Sequence, residues 1–169
     1  MRVELHFGDI TEYKADCIVN AARTSLLGGG GVDGAIHNKA GNELKEFCKT
    51  LGGCEVGEAK LSPAFQLPSN FIIHTVGPRY LFKNESEINA LKNCYVNSLE
   101  IAKQEKFESL VFSNISTGAY GFPKDLASNI SFEVVSSFLM KNDYPIKVVF
   151  CCYDIENLEL YSDIIKKHL

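Results

Sequence analysis

Two glycine-rich segments hold the residues best suited to chemistry. The first, Leu26-Leu27-Gly28-Gly29-Gly30-Gly31-Val32-Asp33-Gly34, sets four glycines in a row and follows them with one carboxylate, Asp33. Glycine costs backbone entropy on folding, and close approach of the backbone to a ligand offsets that cost. A helix beginning near Asp33 offers free N–H groups to an anion. The second segment is Ser116-Thr117-Gly118-Ala119-Tyr120-Gly121-Phe122-Pro123. It too follows a strand-like run and precedes a helical pattern. One glycine run alone is equally a flexible surface loop. Two of them at one sheet edge can clamp a diphosphate from both sides.

Gly29, Gly31 and Gly34 also spell Gly-x-Gly-x-x-Gly, so a dinucleotide-binding dehydrogenase is an alternative. Two features oppose it. The glycines begin well after the preceding strand rather than in a tight turn straight off it. Asp33 stands inside the motif, where it repels a pyrophosphate. No Gly-Lys-Ser/Thr follows, so this is not a Walker loop, and no Gly-x-Ser-x-Gly or loop cysteine supplies a nucleophile. Asp33 has two readings that stay open here: it reaches toward sugar hydroxyls or reacting chemistry, or it is a helix N-cap.

Other polar residues sit at strand ends. Asp9, in Gly8-Asp9-Ile10-Thr11, can accept from an exocyclic amine such as that of adenine, or simply form an Asx turn. Asn20 and Arg23 leave the second strand just before the glycine run. Arg23 can pair with a phosphate. His37 follows Asp33 by four, which puts both on one helical face. Tyr153-Asp154 ends the last strand, where an aromatic ring can stack on a base. His74, mid-strand, reads as a core histidine. The histidines are scattered and no Cys-x-x-Cys occurs, so no metal site is expected.

The elements that must position these residues alternate. Strands are expected at Val3–Phe7, Cys17–Asn20, Phe71–Val76, Ser109–Ser113 and Lys147–Cys152. Helices are expected from near Asp33, over Glu43–Leu51 and Ser86–Lys103, from Pro123, and over Asn157–Leu169. On the Pro123 helix the apolar face reads as Leu126, Ile130, Val134 and Phe138. Alternation of this kind implies a mostly parallel sheet flanked by helices, with ligands beyond the carboxyl ends of the strands.

The chain has 169 residues, 46% hydrophobic and 22% charged, which suits one globular domain over residues 1–169. Its net charge of -4 argues against bulk electrostatic binding of nucleic acid. No apolar run approaches the roughly 18 residues of a membrane helix, and Met1-Arg2-Val3-Glu4 has no signal-peptide core. The six cysteines are expected to be buried thiols of a cytoplasmic protein.

Taken together, Gly8–Thr11, Ile18–Ala22, Leu27–His37, Ile72–Pro78, Ile115–Pro123 and Cys152–Asp154 resemble a macrodomain of the MacroD type, over nearly the whole chain. The resemblance implies a three-layer α/β/α fold around a mixed, mostly parallel sheet. It implies binding of ADP-ribose and hydrolysis of its esters, on Asp or Glu of ADP-ribosylated proteins or in O-acetyl-ADP-ribose, without metal or cofactor. Asp9 would then hold the adenine amine, with the Ile10 backbone beside it and Tyr153 against the ring. Gly30, Gly31, Val32 and the amides of Ser116, Thr117, Gly118, Ala119 and Tyr120 would hold the diphosphate. Asp33 would serve the distal ribose and the catalytic water, with Tyr120 and Phe122 shaping that end. The subgroup ordinarily reads Asn-Ala-Ala-Asn, and this chain reads Asn20-Ala21-Ala22-Arg23. Arginine is longer, charged and only a donor, which favours a non-catalytic reader of ADP-ribose as the alternative.

Overall fold

A computed structural model describes residues 2–169. Six strands form one sheet: β1 (Val3–Phe7), β2 (Cys17–Ala21), β3 (Ala59–Pro63), β4 (Phe71–Thr75), β5 (Ser109–Phe112) and β6 (Lys147–Cys152). Their order across the sheet is β1-β6-β5-β2-β4-β3. All pairings are parallel except β3 with β4, so the sheet is mixed and mostly parallel.

Five helices cover it: α1 (Gly31–Ala40), α2 (Asn42–Lys49), α3 (Glu85–Gln104), α4 (Lys124–Lys141) and α5 (Ile155–Lys167). Strand side chains alternate between the two faces. Cys17, Val19, Leu110, Phe112, Val148 and Phe150 pack with Leu91, Tyr95 and Leu99 of α3, Val135 of α4 and Tyr161 of α5. Ile18, Ile72, Val111 and Val149 point the other way, onto Ile36 and Ala40 of α1 and Leu44 and Cys48 of α2. Two cores separated by one sheet make the three-layer α/β/α arrangement. All six cysteines are buried and free. Among the described residues no helix is long and apolar enough to cross a membrane.

Three expectations change. β3 has no counterpart in the sequence reading: Ala59-Lys60-Leu61-Ser62-Pro63 carries little apolar alternation and ends in proline, as an edge strand can. The buried stripe of α4 is Ala127, Ile130, Ser131, Val135 and Leu139, while Leu126, Val134 and Phe138 lie at its margin, only partly buried. The helix expected near Asp33 starts at Gly31 with Gly30 as its cap, so Asp33 is not the N-cap.

Candidate active site

The carboxyl ends of the five parallel strands deliver the candidate residues in spatial order. Asp9 follows β1, Tyr153 follows β6, the Ser116–Phe122 loop follows β5, Arg23 and the glycine run follow β2, and Arg79 follows β4. Four strand spacings of about 4.8 Å spread this row over roughly 19 Å. An elongated ligand fits such an edge better than a compact one.

At the β1 end, Asp9 caps a short 3-10 turn, Ile10–Glu12. Its Oδ1 accepts from Thr11 N at 2.9 Å and Thr11 Oγ1 at 2.7 Å. The Asx-turn reading therefore holds for one oxygen, and Oδ2 makes no hydrogen bond among the described residues. The Thr11 hydrogen bonds hold the carboxyl below its ordinary range. Ile10 is buried, and its N–H has no acceptor among the described residues. Tyr153 stands beside this turn, 83% exposed, because Gly8 N donates to Cys152 O at 3.0 Å and ties the two strand ends together.

In the middle of the row, two loops present unused amides. No acceptor among the described residues takes the N–H groups of Gly30, Gly31, Val32 or Asp33, and α1 has no side-chain cap. The N–H groups of Thr117, Gly118, Ala119 and Tyr120 are equally unpaired. The second loop is closed on itself, with Phe122 N donating to Ser116 O at 2.9 Å and Gly121 N to Gly118 O at 3.0 Å. Gly34 explains how the first loop packs: a Cβ there would run into the Gly29 carbonyl oxygen. Gly29 leaves room for two side chains. A Cβ on it would come within 2.8 Å of Arg23 Nε and 3.2 Å of Asp33 Oδ2.

Asp33 is the chemical centre of this stretch. It is buried, and Asn20 Nδ2 donates to its Oδ1 at 2.9 Å. Its Oδ2 has no partner among the described residues. His37 Nε2 lies 3.5 Å from Oδ1, without hydrogen-bond alignment. Beneath Asn20, the other Nδ2 proton goes to His74 Nδ1 at 3.1 Å, and His74 Nε2 meets Ser62 Oγ at 2.8 Å. Because Nδ1 must accept, Nε2 carries the proton and donates to Ser62, whose hydroxyl donates to Pro63 O at 3.0 Å. Burial pushes His74 down to about 3, with His37 adding to the effect, so the ring is neutral. Burial also lowers His37, against the opposing pull of Asp33.

Three sequence-based readings gain detail from the structure. Asn20 is fully buried; its Nδ2 donates to Asp33 and meets His74, which positions Asp33, while its Oδ1 has no partner among the described residues. Phe122 is buried, and its ring packs on Tyr80 at 4.5 Å. The histidines are not all scattered: His37, His74 and Cys48 place one potential ligand atom each within 4.8 Å of one another. Cys48 Sγ is 3.8 Å from His74 Nε2, and burial with the nearby Asp33 pushes its thiol up to about 11. The sequence reading also passed over Arg79, whose guanidinium lies 5.0 Å above the Tyr120 ring.

Comparison with known proteins agrees with this architecture. The Macro domain family matches residues 19–131. A macro domain-containing protein of Mesorhizobium japonicum is 48% identical over 95% of this chain and 91% of its own. An O-acetyl-ADP-ribose deacetylase of Enterobacter is 44% identical over 97% of this chain and 93% of its own. Among solved structures, the Oceanobacillus iheyensis macrodomain with ADP superposes with a TM-score of 0.92 at 40% identity, covering 98% of this chain and 90% of that one. The Trypanosoma brucei macrodomain in complex with ADP-ribose gives 0.91 at 36% identity, covering 97% and 69%. With a matched segment that runs from β2 through the glycine loop into α4, and relatives alike over almost their full length, the chain belongs to the macro domain family.

Proposed function

We propose that this protein binds ADP-ribose along the strand-end row and hydrolyses esters on its distal ribose. The substrates are O-acetyl-ADP-ribose and ADP-ribose linked to Asp or Glu of proteins. The observation that carries this reading is Asp33: a buried carboxylate anchored through Oδ1, its Oδ2 without a partner among the described residues, on the first turn of a helix whose N–H groups are unpaired. Those amides and the facing row from Thr117 to Tyr120 suit a diphosphate. Asp9 Oδ2 suits the adenine amine and Tyr153 the face of the ring. The relatives named O-acetyl-ADP-ribose deacetylase support the ester chemistry.

Hydrolysis consumes one water and yields free ADP-ribose and a carboxylate, releasing a proton. Asp33 Oδ2 can orient that water and take its proton, while Tyr120 closes the same end. Holding ester and water between two pre-formed loops supplies much of the acceleration. Arg23, which with Asp33 Oδ2 flanks Gly29, supports a second reading in which the site binds ADP-ribose without turning over its esters.

Calorimetry with ADP-ribose and AMP, run beside turnover of both esters, tests the proposal. ADP-ribose is expected to bind more tightly than AMP, which lacks the diphosphate, and both esters are expected to be cleaved. Equal affinities would refute the two-loop clamp. Tight binding with no turnover would establish the second reading.

A further inference from the structure

The chain has three arginines in a sequence of net charge -4. Arg2 is consumed by backbone carbonyls, including Leu139 O at 2.7 Å and Asp143 O at 2.9 Å. The other two, Arg23 and Arg79, come from the ends of neighbouring strands, β2 and β4, and line one cavity of about 610 Å³ together with Tyr120 and Leu81. Neither pairs with a carboxylate among the described residues. Glu87 also reaches this cavity, but its carboxylate is taken by Leu81 N at 2.8 Å and Phe82 N at 3.0 Å. Those bonds fix a short loop that exposes Leu81 by 65% and Phe82 by 79%. Two unpaired cations and two exposed apolar side chains therefore sit together on a braced surface, one strand beyond Asp33.

We propose that this cavity is a subsite for the polypeptide that carries the ester, and that it selects ADP-ribosylated segments with further carboxylates beside the modified residue. The inference rests on the function proposed above, because it places the ester at Asp33. On that placement, the group attached to the distal ribose leaves the row in the direction of β4. An acetyl group is too small to reach Arg79. A peptide reaches it, and neighbouring Asp or Glu side chains meet the two guanidinium groups while the loop at Leu81 and Phe82 packs on the peptide's apolar surface.

The test compares three substrates: O-acetyl-ADP-ribose, a peptide ADP-ribosylated on Glu with flanking Glu residues, and the same peptide with flanking Gln. Exposed ion pairs predict a three- to ten-fold advantage, about that size, for the acidic peptide in kcat/KM, shrinking as salt is raised. Arg79→Gln is expected to remove most of that advantage, read as the ratio of kcat/KM for the two peptides, which a loss common to all substrates leaves unchanged. Leu81→Ser with Phe82→Ser should weaken both peptides and spare the acetyl ester. Equal rates for the two peptides in wild type would overturn the subsite, as would a loss in Arg79→Gln shared equally by all three substrates. Faster turnover of an ADP-ribosylated oligonucleotide end than of the acidic peptide would overturn the choice of polypeptide. If no ester is cleaved, the same preference must appear in binding of the two conjugates. Absence of ADP-ribose binding would remove the parent reading and the subsite with it, an outcome distinct from loss of peptide preference alone.

Discussion

Asn20 Nδ2 reaches Asp33 Oδ1 at 2.9 Å, and both side chains are buried. The two residues come from different elements, the last turn of strand in β2 and the first turn of α1, and the bond closes the loop between them. A carboxylate held by one oxygen keeps the other in a fixed direction. The second Asn20 proton goes to His74, so the position of Asp33 depends on a chain of donors that ends at Pro63 O on the edge strand β3.

Two substitutions separate positioning from chemistry. Asn20→Ala strands Asp33 Oδ1 and His74 Nδ1, and leaving two buried groups unpaired should cost about 2–4 kcal/mol of stability. Hydrolysis should fall by about 10²-fold through misplacement of the carboxylate. Asp33→Asn still accepts from Asn20, so its fold should be retained. Loss of a general base should lower single-turnover hydrolysis by about 10²–10⁴-fold. Urea unfolding and single-turnover assays check both, and wild-type hydrolysis in folded Asp33→Asn would refute the catalytic role of Asp33.

Asp9 divides its two oxygens between a local turn and the groove. Asp9→Ser keeps a cap for the Thr11 N–H and removes the free oxygen. The variant should therefore melt near wild type, weaken ADP-ribose by about 1.5–3 kcal/mol and leave turnover of saturated enzyme nearly intact. Asp9→Ala should lose the cap as well, and so melt lower. Unchanged affinity with a large fall in maximal rate would contradict the assignment to adenine.

Much of this architecture is legible in the sequence because it follows from local pattern. β2, β4, β5 and β6 are short apolar runs, and α3 shows Leu91, Tyr95, Leu99 and Ala102 on one face. β3 is not legible, since Ala59–Pro63 pairs with one neighbour and needs no continuous apolar run. The loops and Asp33 announce themselves through glycine and its neighbours. What holds Asp33 does not: Asn20 and His74 are 54 residues apart, and only the β2–β4 register brings them level. The same register effect hides the pairing of Arg23 with Arg79 across one cavity. Phe122 follows the ligand loop, but its burial against Tyr80 is a long-range contact that local pattern does not announce.

Histidine burial sets a pH dependence of stability. His74 and His37 both titrate below the ordinary value of 6.5 in the folded protein, chiefly because burial disfavours the charged ring. The unfolded chain therefore binds more protons than the native state below 6.5. Stability is complete above that pH and declines as the pH falls from 6.5 toward 3, by at most roughly 1.4 kcal/mol per unit for each group. Urea midpoints measured between pH 7 and pH 4.5 should fall in wild type and fall less steeply in His74→Gln. Glu46 and Glu87, held below their ordinary value of 4.5, lose stabilisation at the acid end of this window in both proteins alike, so the difference between them reports His74. Parallel slopes in the two proteins would show that His74 is not the group responsible.

Chelators provide a separate check, because His37, His74 and Cys48 lie close together beneath Asp33. Both His74 nitrogens are engaged, one by Asn20 and one by Ser62, and the Cys48 thiol is held in its protonated form by burial. Hydrolysis is expected to be unchanged by EDTA, and added zinc should give no gain. Loss of activity in EDTA that a divalent ion restores would assign this cluster a metal and revise the mechanism.

Arg23 bears most directly on whether the site turns over. Its side chain crosses the open face of Gly29, where a Cβ would meet both Arg23 Nε and Asp33 Oδ2. On the function proposed above, a guanidinium there would compete with water for Asp33 Oδ2. Arg23 is exposed and has no acidic partner among the described residues, so Arg23→Asn should change stability by less than about 0.5 kcal/mol. Asparagine is shorter and neutral, and its carbonyl can accept from a ribose hydroxyl, which arginine cannot. Arg23→Asn is therefore expected to raise single-turnover hydrolysis of O-acetyl-ADP-ribose while ADP-ribose affinity stays within a few-fold. Gly29→Ala should lower hydrolysis instead, because its methyl group would stand 3.2 Å from Asp33 Oδ2 and displace the carboxylate. Melting temperature, ADP-ribose affinity and single-turnover rate, measured on both variants, decide the matter. A large loss of ADP-ribose affinity in Arg23→Asn without faster hydrolysis would show that the arginine contacts the ligand phosphates instead of obstructing the water.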